Sequence, residues 1–398
     1  MHNQYFLASL YFLLCLWYYV KNINKGSFMK SNPFYYGGTI KDEYFCNRVN
    51  ELKYLKDDMY SGMNCLIYAP RRFGKTSLVL RALKELQKSD NVKYVFMDLM
   101  YISTIEEFIN QYFNLLAKNL EEPTDKVINF FKSVLKIRPN INVNFDVSGT
   151  PNFSLAMTAD DTHQTFEDVL NIPLAFIKND KKIVIVFDEF QEIINLDIEA
   201  KLRSVIQQHS NKISYIFMGS KKSLLHQMFL DKNRPFYKSV KHFIIKEIGS
   251  NDWLEFITSK FEKTGKKIDS QIINKILDIT KGFPYYTQQF SYEIWNLTND
   301  IADDTIFINA LKIILEREED LFSIELENLT PNQKKALKIV VAKNGENLYD
   351  EQYLAKFKIK TGSFQTALQG LLQKDILDKN SKEYYFQDPL FEYWIKSF

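Results

Sequence analysis

From residue 64 onward, short unbroken apolar runs alternate with stretches whose apolar residues return every three or four positions. NCLIYA (64–69) is too brief for a helix and is bounded by Pro70 and Gly74, so it predicts a buried strand. KTSLVLRALKEL (75–86) then sets Leu78, Ala82 and Leu86 on one helical face. NVKYVFMDL (91–99) predicts a second strand, and residues 103–135 predict helices opened by the capping pattern STIEEF. INVNFDVSGTPNFSLAM (141–157) alternates and turns at Gly149, Thr150 and Pro151, which predicts a β-hairpin insertion near 140–157. A helix over about 162–178 precedes three further strands, KKIVIVFDEF (181–190), ISYIFMGS (213–220) and HFIIKEI (242–248). Such strands interleaved with helices predict an α/β fold with a parallel sheet covered on both faces. Residues 250–320 carry the helical period alone. Beyond 325 the pattern changes again, to helices, then GSFQTALQGLLQKDIL (362–377) with Leu368, Leu371 and Leu372 inward, then ILDKNSKEYYFQD (376–388) as a two-stranded hairpin.

A chain of 398 residues predicts two or three domains, and 45% hydrophobic with 25% charged residues fits a globular protein with a full core. A net charge of +2 argues by itself for neither nucleic acid nor an anionic membrane. The three cysteines, Cys15, Cys46 and Cys65, show no CxxC spacing, and the five histidines are scattered. That argues against a disulfide framework or a zinc site and fits a reducing cytosol. YFLASLYFLLCLWYYV (5–20) is uncharged but only 16 residues long, short of the ~20 that span a bilayer unaided. No basic stretch precedes it and no small-residue cleavage site comes after it, so it is a poor signal peptide. Two readings of residues 1–28 stay open. One is a misassigned start, with Met29 opening MKSNPFYYGG. The other is a membrane anchor, with Lys21 and Lys25 holding the rest of the chain in the cytoplasm. Under both, residues 32 onward are expected to be cytoplasmic.

The candidate chemistry lies at strand ends. Ala69-Pro70-Arg71-Arg72-Phe73-Gly74-Lys75-Thr76 has the spacing of a phosphate-binding P-loop, G-x-x-x-x-G-K-[ST], with alanine in the first place and Ser77 after it. Such a loop needs amide N–H groups curled round phosphate at a helix start, a lysine for the β and γ phosphates, and a hydroxyl for Mg²⁺. If Ala69 had to adopt a positive φ it would cost about 1–2 kcal/mol; in the β region it costs almost nothing. Asp188 and Glu189 end a buried strand, a costly place for two charges unless something uses them. The expected roles are Mg²⁺ binding for Asp188 and activation of the attacking water for Glu189. Ser220 ends the next strand and has two readings, a γ-phosphate contact or a helix N-cap. Arg234, before Pro235, reads as a finger in cis or from a neighbouring subunit, or as a surface ion pair. Arg71 and Arg72 read as partners of phosphate or of carboxylates.

Together these motifs resemble the archaeal-type ATPases of the AAA+ superfamily, in its STAND-like branch, over almost everything from Asn32 onward. NPFYYGG (32–38) resembles the family's opening. YFCNRVNELKYL (44–55) is similar to its F-x-G-R-x-x-E-L box, with Asn47 where glycine is usual, and APRRFGKTSL (69–78) to its arginine-bearing P-loop. VFDEFQEI, FMGS, NRPFY, GFPYYTQQF and the terminal DPLFEYW come in the family's order. The resemblance implies an AAA+ core over 32–248, a helical lid over 249–322 and a winged-helix domain over 325–398. It implies that Arg48 and the Tyr44–Phe45 stretch lie near adenine, and that Gly282 and Pro284 hold the lid against the nucleotide. Asn47 and Ala69 depart from the pattern, which bears on hydrolysis rate more than on binding.

The winged-helix layout is also legible directly, as an inward-leucine helix with a hairpin after it, an arrangement that enters a DNA major groove in other proteins. Residues 331–398 hold 11 Lys and no Arg against 8 Asp and Glu, a net of +3 (11 − 8). DNA-reading surfaces are usually more basic and use arginine for guanine. Duplex DNA, a protein partner, and packing on the ATPase itself all remain open for this module. The expected function is a switch driven by ATP and Mg²⁺, with homo-oligomerisation open. The alternative is a nucleotide-gated DNA-binding protein with little turnover.

Overall fold

β5 (Ile183–Asp188) and β6 (Ile213–Gly219) are buried at every position, which is why they read as continuous apolar runs. They are the second and third strands of a five-stranded parallel sheet in the order β2 (Lys93–Asp98), β5, β6, β1 (Cys65–Tyr68), β7 (Lys241–Ile244). The chain builds this core from α1 (Val49–Tyr60), β1 (Cys65–Tyr68), α2 (Lys75–Asp90), β2 (Lys93–Asp98), α3 (Ile105–Lys118), α4 (Thr124–Val134), β3 (Asn140–Phe145), β4 (Pro151–Ala156), α5 (Thr162–Phe176), β5 (Ile183–Asp188), α6 (Glu199–Gln208), β6 (Ile213–Gly219), α7 (Lys222–Leu230) and β7 (Lys241–Ile244). The structure is a computed structural model that describes residues 31–40, 42–119, 124–135, 140–158, 161–177, 182–209, 211–380 and 383–396. The apolar stretch 5–20 and Met29 lie outside the described residues. Among those residues, no helix is long and apolar enough to cross a membrane.

Alternate residues of β1 face opposite sides of the sheet. Leu66 joins the apolar cluster under α3, α5 and α6, while Cys65 and Ile67 join the cluster under α1 and α2. Both described cysteines are buried and in no disulfide, and burial pushes each thiol up to about 12, so neither is a ready nucleophile.

The predicted capping pattern forms in full. The Thr104 side chain accepts from the Glu107 N–H at 3.1 Å, and the Glu107 carboxylate accepts from the Thr104 N–H at 3.3 Å. Thr104→Ala is expected to cost about 1 kcal/mol, read as a lower urea midpoint at unchanged slope. The insertion is a hairpin, β3 with β4, packed on α3 through Phe153 and Leu155. Its reversal spans Asp146–Thr150, so it holds Gly149 (φ 78°) and Thr150, and Pro151 opens β4. The Asp146 carboxylate starts the turn by accepting the N–H groups of Ser148 and Thr150, both at 2.9 Å.

Past the core come α8 (Ser250–Lys263), β8 (Lys267–Ile268), α9 (Ser270–Thr280), α10 (Pro284–Leu297), β9 (Ile301–Ala302) and α11 (Asp304–Glu327). The two-residue bridge of β8 with β9 is an extended contact that the helical period hides. The winged helix comes next as α12 (Pro331–Ala342), α13 (Glu351–Lys356), α14 (Thr361–Gln373), a hairpin of β10 (Leu377–Asn380) and β11 (Glu383–Phe386), and α15 (Pro389–Lys396). One apolar cluster runs from the sheet through the lid into this domain, taking in Ile216, Trp253, Phe290, Ile314, Leu368 and Trp394.

Candidate active site

β1 passes into a loop that turns straight into α2. Ala69 is buried and its backbone stays out of the left-handed region, so its methyl costs nothing there. The positive φ falls instead on Gly74 (87°), where glycine is at ease, and on Arg72 (62°). Lys75, 7% exposed, donates from Nζ to the carbonyls of Ala69 (2.7 Å) and Pro70 (3.1 Å), spanning the loop. Burial pulls its ammonium down to about 8, against the opposing charges of Glu189 and Asp188.

The parallel register places the acidic pair beside that loop. Thr76 Oγ1 donates to Asp188 Oδ2 at 3.0 Å, and the Glu189 N–H donates to Asp188 Oδ1 at 3.0 Å. Burial raises the pKa of Asp188, while the Glu189 N–H, Thr76 and Lys75 act in the opposite sense. Glu189 sits at φ 49° and turns its carboxylate toward β6. There Oε2 accepts from Gln191 Nε2 at 2.6 Å and from Ser220 Oγ at 3.1 Å. The Ser220 hydroxyl therefore serves Glu189, whereas the N-cap of α7 is Lys221, with no side-chain cap.

Gln191 escapes a reading of the sequence because a glutamine two residues past the acidic pair carries no signal of its own. Its position depends on Gly219, since a Cβ there would lie 2.2 Å from Gln191 Oε1. Gly219→Ala is expected to push Gln191 off Glu189 and to destabilise the fold by about 1–3 kcal/mol, read in urea.

A cleft of about 480 Å³ is lined on the core side by Arg71–Ser77, Met100, Glu189 and Ser220, with Asp188 behind Thr76 and Gln191 behind Glu189. Pro284, Tyr285 and Gln288 of α10 close it on the lid side, and the segment Tyr35–Ile40 lies along it. That segment is legible in the sequence only as an opening motif. Tyr44 and Phe45 are not in the lining; Tyr44 packs at a tilt against Tyr35 with ring centres 5.5 Å apart, and Phe45 lies under Arg81 at 4.5 Å. Arg48 is also behind the cleft, donating to the carbonyls of Phe73 (3.1 Å) and Lys246 (2.8 Å), so it braces the loop from outside. Pro284 lines the cleft. Gly282 does not, and its carbonyl accepts from Trp253 Nε1 at 3.1 Å. Arg234 pairs with Glu199 at 2.6 Å, away from the lining.

A family model described as an ATPase domain found predominantly in Archaea matches residues 45–290. The chain belongs to this archaeal ATPase family. A second model, a probable winged helix domain, matches residues 320–397 of the ATPase. Two uncharacterized ATP-binding proteins of Methanocaldococcus jannaschii are 30% and 29% identical to it, over 192 and 191 residues. Each alignment covers 46% of this chain and 44% or 45% of the relative, so the match spans less than half the length of those relatives. Among solved structures, the Walker-type ATPase of Pyrococcus abyssi aligns with a TM-score of 0.63 at 19% identity, covering 90% of this chain and 98% of that one. The Aeropyrum pernix ORC2 protein, solved as ADPNP–ADP complexes, aligns at 0.50 and 13%, covering 90% and 97%. At such identities the likeness is one of fold. The chain thus joins an archaeal-type ATPase domain to a C-terminal winged helix.

Proposed function

We propose that this ATPase binds ATP with Mg²⁺ in the cleft, hydrolyses it, and uses the cycle to move the lid and winged helix. The observation that carries the reading is the convergence of Lys75, Thr76, Glu189 and Ser220 from the ends of β1, β5 and β6 on one cleft closed by α10, with Asp188 directly behind Thr76. Lys75 exchanges its loop carbonyls for the β and γ phosphates, and the N–H groups at the start of α2 take phosphate oxygens. The residues fit a hard cation: the Thr76 hydroxyl and Asp188 carboxylate are oxygen donors held 3.0 Å apart. Mg²⁺ supplies charge neutralisation between the phosphates. Glu189, held by Gln191 and Ser220, takes the proton of the attacking water. Pro284 and Tyr285 seat the lid on the nucleotide, so loss of the terminal phosphate alters the lid's contacts. A finger role for Arg234 requires its release from Glu199.

The test is phosphate release from purified protein with ATP, with and without Mg²⁺. Mg²⁺-dependent release is expected, and protein that neither binds nor cleaves ATP overturns the reading. The alternative of a DNA-binding module has less support. The exposed positions of α14, Thr361, Gly362, Ser363, Gln365, Thr366, Gln369 and Gln373, carry no cation, and the wing hairpin is tied to α7 through Lys222.

A further inference from the structure

We propose that Asp388 of the winged helix and the terminal phosphate of bound ATP compete for Arg72, so that ATP binding unfastens the C-terminal domain from the P-loop. The proposal rests on the nucleotide reading above and adds its regulation. Three domains meet at the Arg72 guanidinium. It stacks 4.6 Å from the centre of the Tyr285 ring and donates to Tyr286 Oη at 2.9 Å, both on the lid. Its Nη1 lies 3.5 Å from Asp388 Oδ2. Asp388 is itself held, because its Oδ1 accepts the N–H groups of Leu390 (2.9 Å) and Phe391 (3.1 Å) at the start of α15. Arg72 belongs to the phosphate loop, lines the cleft, and accepts at its carbonyl from the Tyr285 N–H at 3.4 Å. A change of partner at its side chain is therefore felt at once by loop, lid and winged helix.

Opposite charges meet at this junction. Asp375, Asp378 and Asp388 of the winged helix, with Glu325 of α11, face Arg71, Arg72 and Lys222 of the core, and Lys221, which also pairs with Glu192 at 3.2 Å, acts on Asp375. Lys222 Nζ lies 3.3 Å from Asp378 Oδ2 and donates to the Lys379 carbonyl at 3.3 Å, which docks the wing on α7. The Arg72–Asp388 pair is the weaker fastening. It is long, and its side chains are 36% and 26% exposed, so solvent screens it. A terminal phosphate offers more charge and two oxygens to the planar guanidinium, so it wins the exchange. The winged helix then keeps its wing contact and loses its contact with the nucleotide loop.

The test uses the full chain with spin labels at two exposed sites, Tyr54 on α1 and Gln369 on α14, and a non-hydrolysable ATP analogue with Mg²⁺. In the wild type the analogue is expected to lengthen the label distance. Asp388→Asn keeps the cap of α15 but removes the charge. It is expected to show the longer distance without nucleotide and to bind the analogue about two- to five-fold more tightly. Lys222→Ala, which removes the wing contact to Asp378 and Lys379 and leaves Arg72 and Asp388 in place, is expected to widen the distance further and guards against a folding defect in the first variant. Analogue that binds the wild type without moving the labels, or with Asp388→Asn binding no tighter, overturns the competition and leaves the ATPase reading intact. A wild type that does not bind the analogue overturns the ATPase reading itself.

Discussion

Glu189→Gln is expected to slow phosphate release by about 10²- to 10⁴-fold while ATP stays bound. The side chain is isosteric, and its carbonyl oxygen can still accept from Ser220, so the cleft keeps its shape. What is lost is the carboxylate proposed to take the proton of the attacking water. Steady-state phosphate release and an ATP titration by calorimetry, run on the same preparation, separate the two effects. Equal rates in both proteins would remove Glu189 from its role. A fall in affinity matching the fall in rate would make it a binding residue. The variant that binds without turning over is also the form to use in a pull-down from native cells, where it is expected to hold the nucleotide-bound state and its partner.

The second large effect is at Lys75. Truncating one member of a buried charge pair costs about 2–5 kcal/mol, so Lys75→Met is expected to weaken ATP binding by about 30- to 5,000-fold. The pH behaviour of this lysine gives an independent check. In the free protein its ammonium is pulled down to about 8 from 10.5 by burial, and a bound phosphate would restore the charged form. Binding above pH 8 should therefore take up a proton, and affinity should fall as pH rises through 8. Calorimetry in two buffers of different ionisation heat reads that proton directly. Stability without nucleotide moves the other way. Between about 8 and 10.5 the unfolded chain keeps the Lys75 proton that the folded chain has lost, so this residue makes stability rise with pH across that window. Lys75→Met should be the more stable protein at pH 7 without nucleotide, and its lead should shrink by pH 10. Urea unfolding at both pH values tests this, and a lead that does not change would show that Lys75 is not desolvated in the free fold.

Much of this molecule is legible in the chain because its signals are local. β5 and β6 announce themselves as unbroken apolar runs, α3 by its capping box, and the phosphate loop by fixed spacing from strand to helix. The charged pair Asp188–Glu189 stands out because carboxylates at the end of a buried strand are costly. Where the chain misleads, the deciding contact is one that periodicity does not report. The bridge between β8 and β9 joins segments more than thirty residues apart. The resemblance implies that Arg48 and the Tyr44–Phe45 stretch lie near adenine. The fold turns Arg48 to the carbonyls of Phe73 and Lys246, sets Tyr44 beside Tyr35, and lines the cleft with Tyr35–Ile40.

By itself, the sequence determined the parallel sheet, the mostly helical stretch after it, the helix-and-hairpin layout of the last domain and the P-loop spacing, since each depends on periodicity or spacing within a few dozen residues. Only the tertiary structure decided which groups share the cleft. Strand order sets Asp188 and Ser220 at the end of neighbouring strands, two and one removed from the loop. Chain reversal through the last domain brings Asp388 to Arg72, 316 residues away in sequence. Side-chain contacts of that separation arise from the packing of whole elements, and no local pattern of residues encodes them.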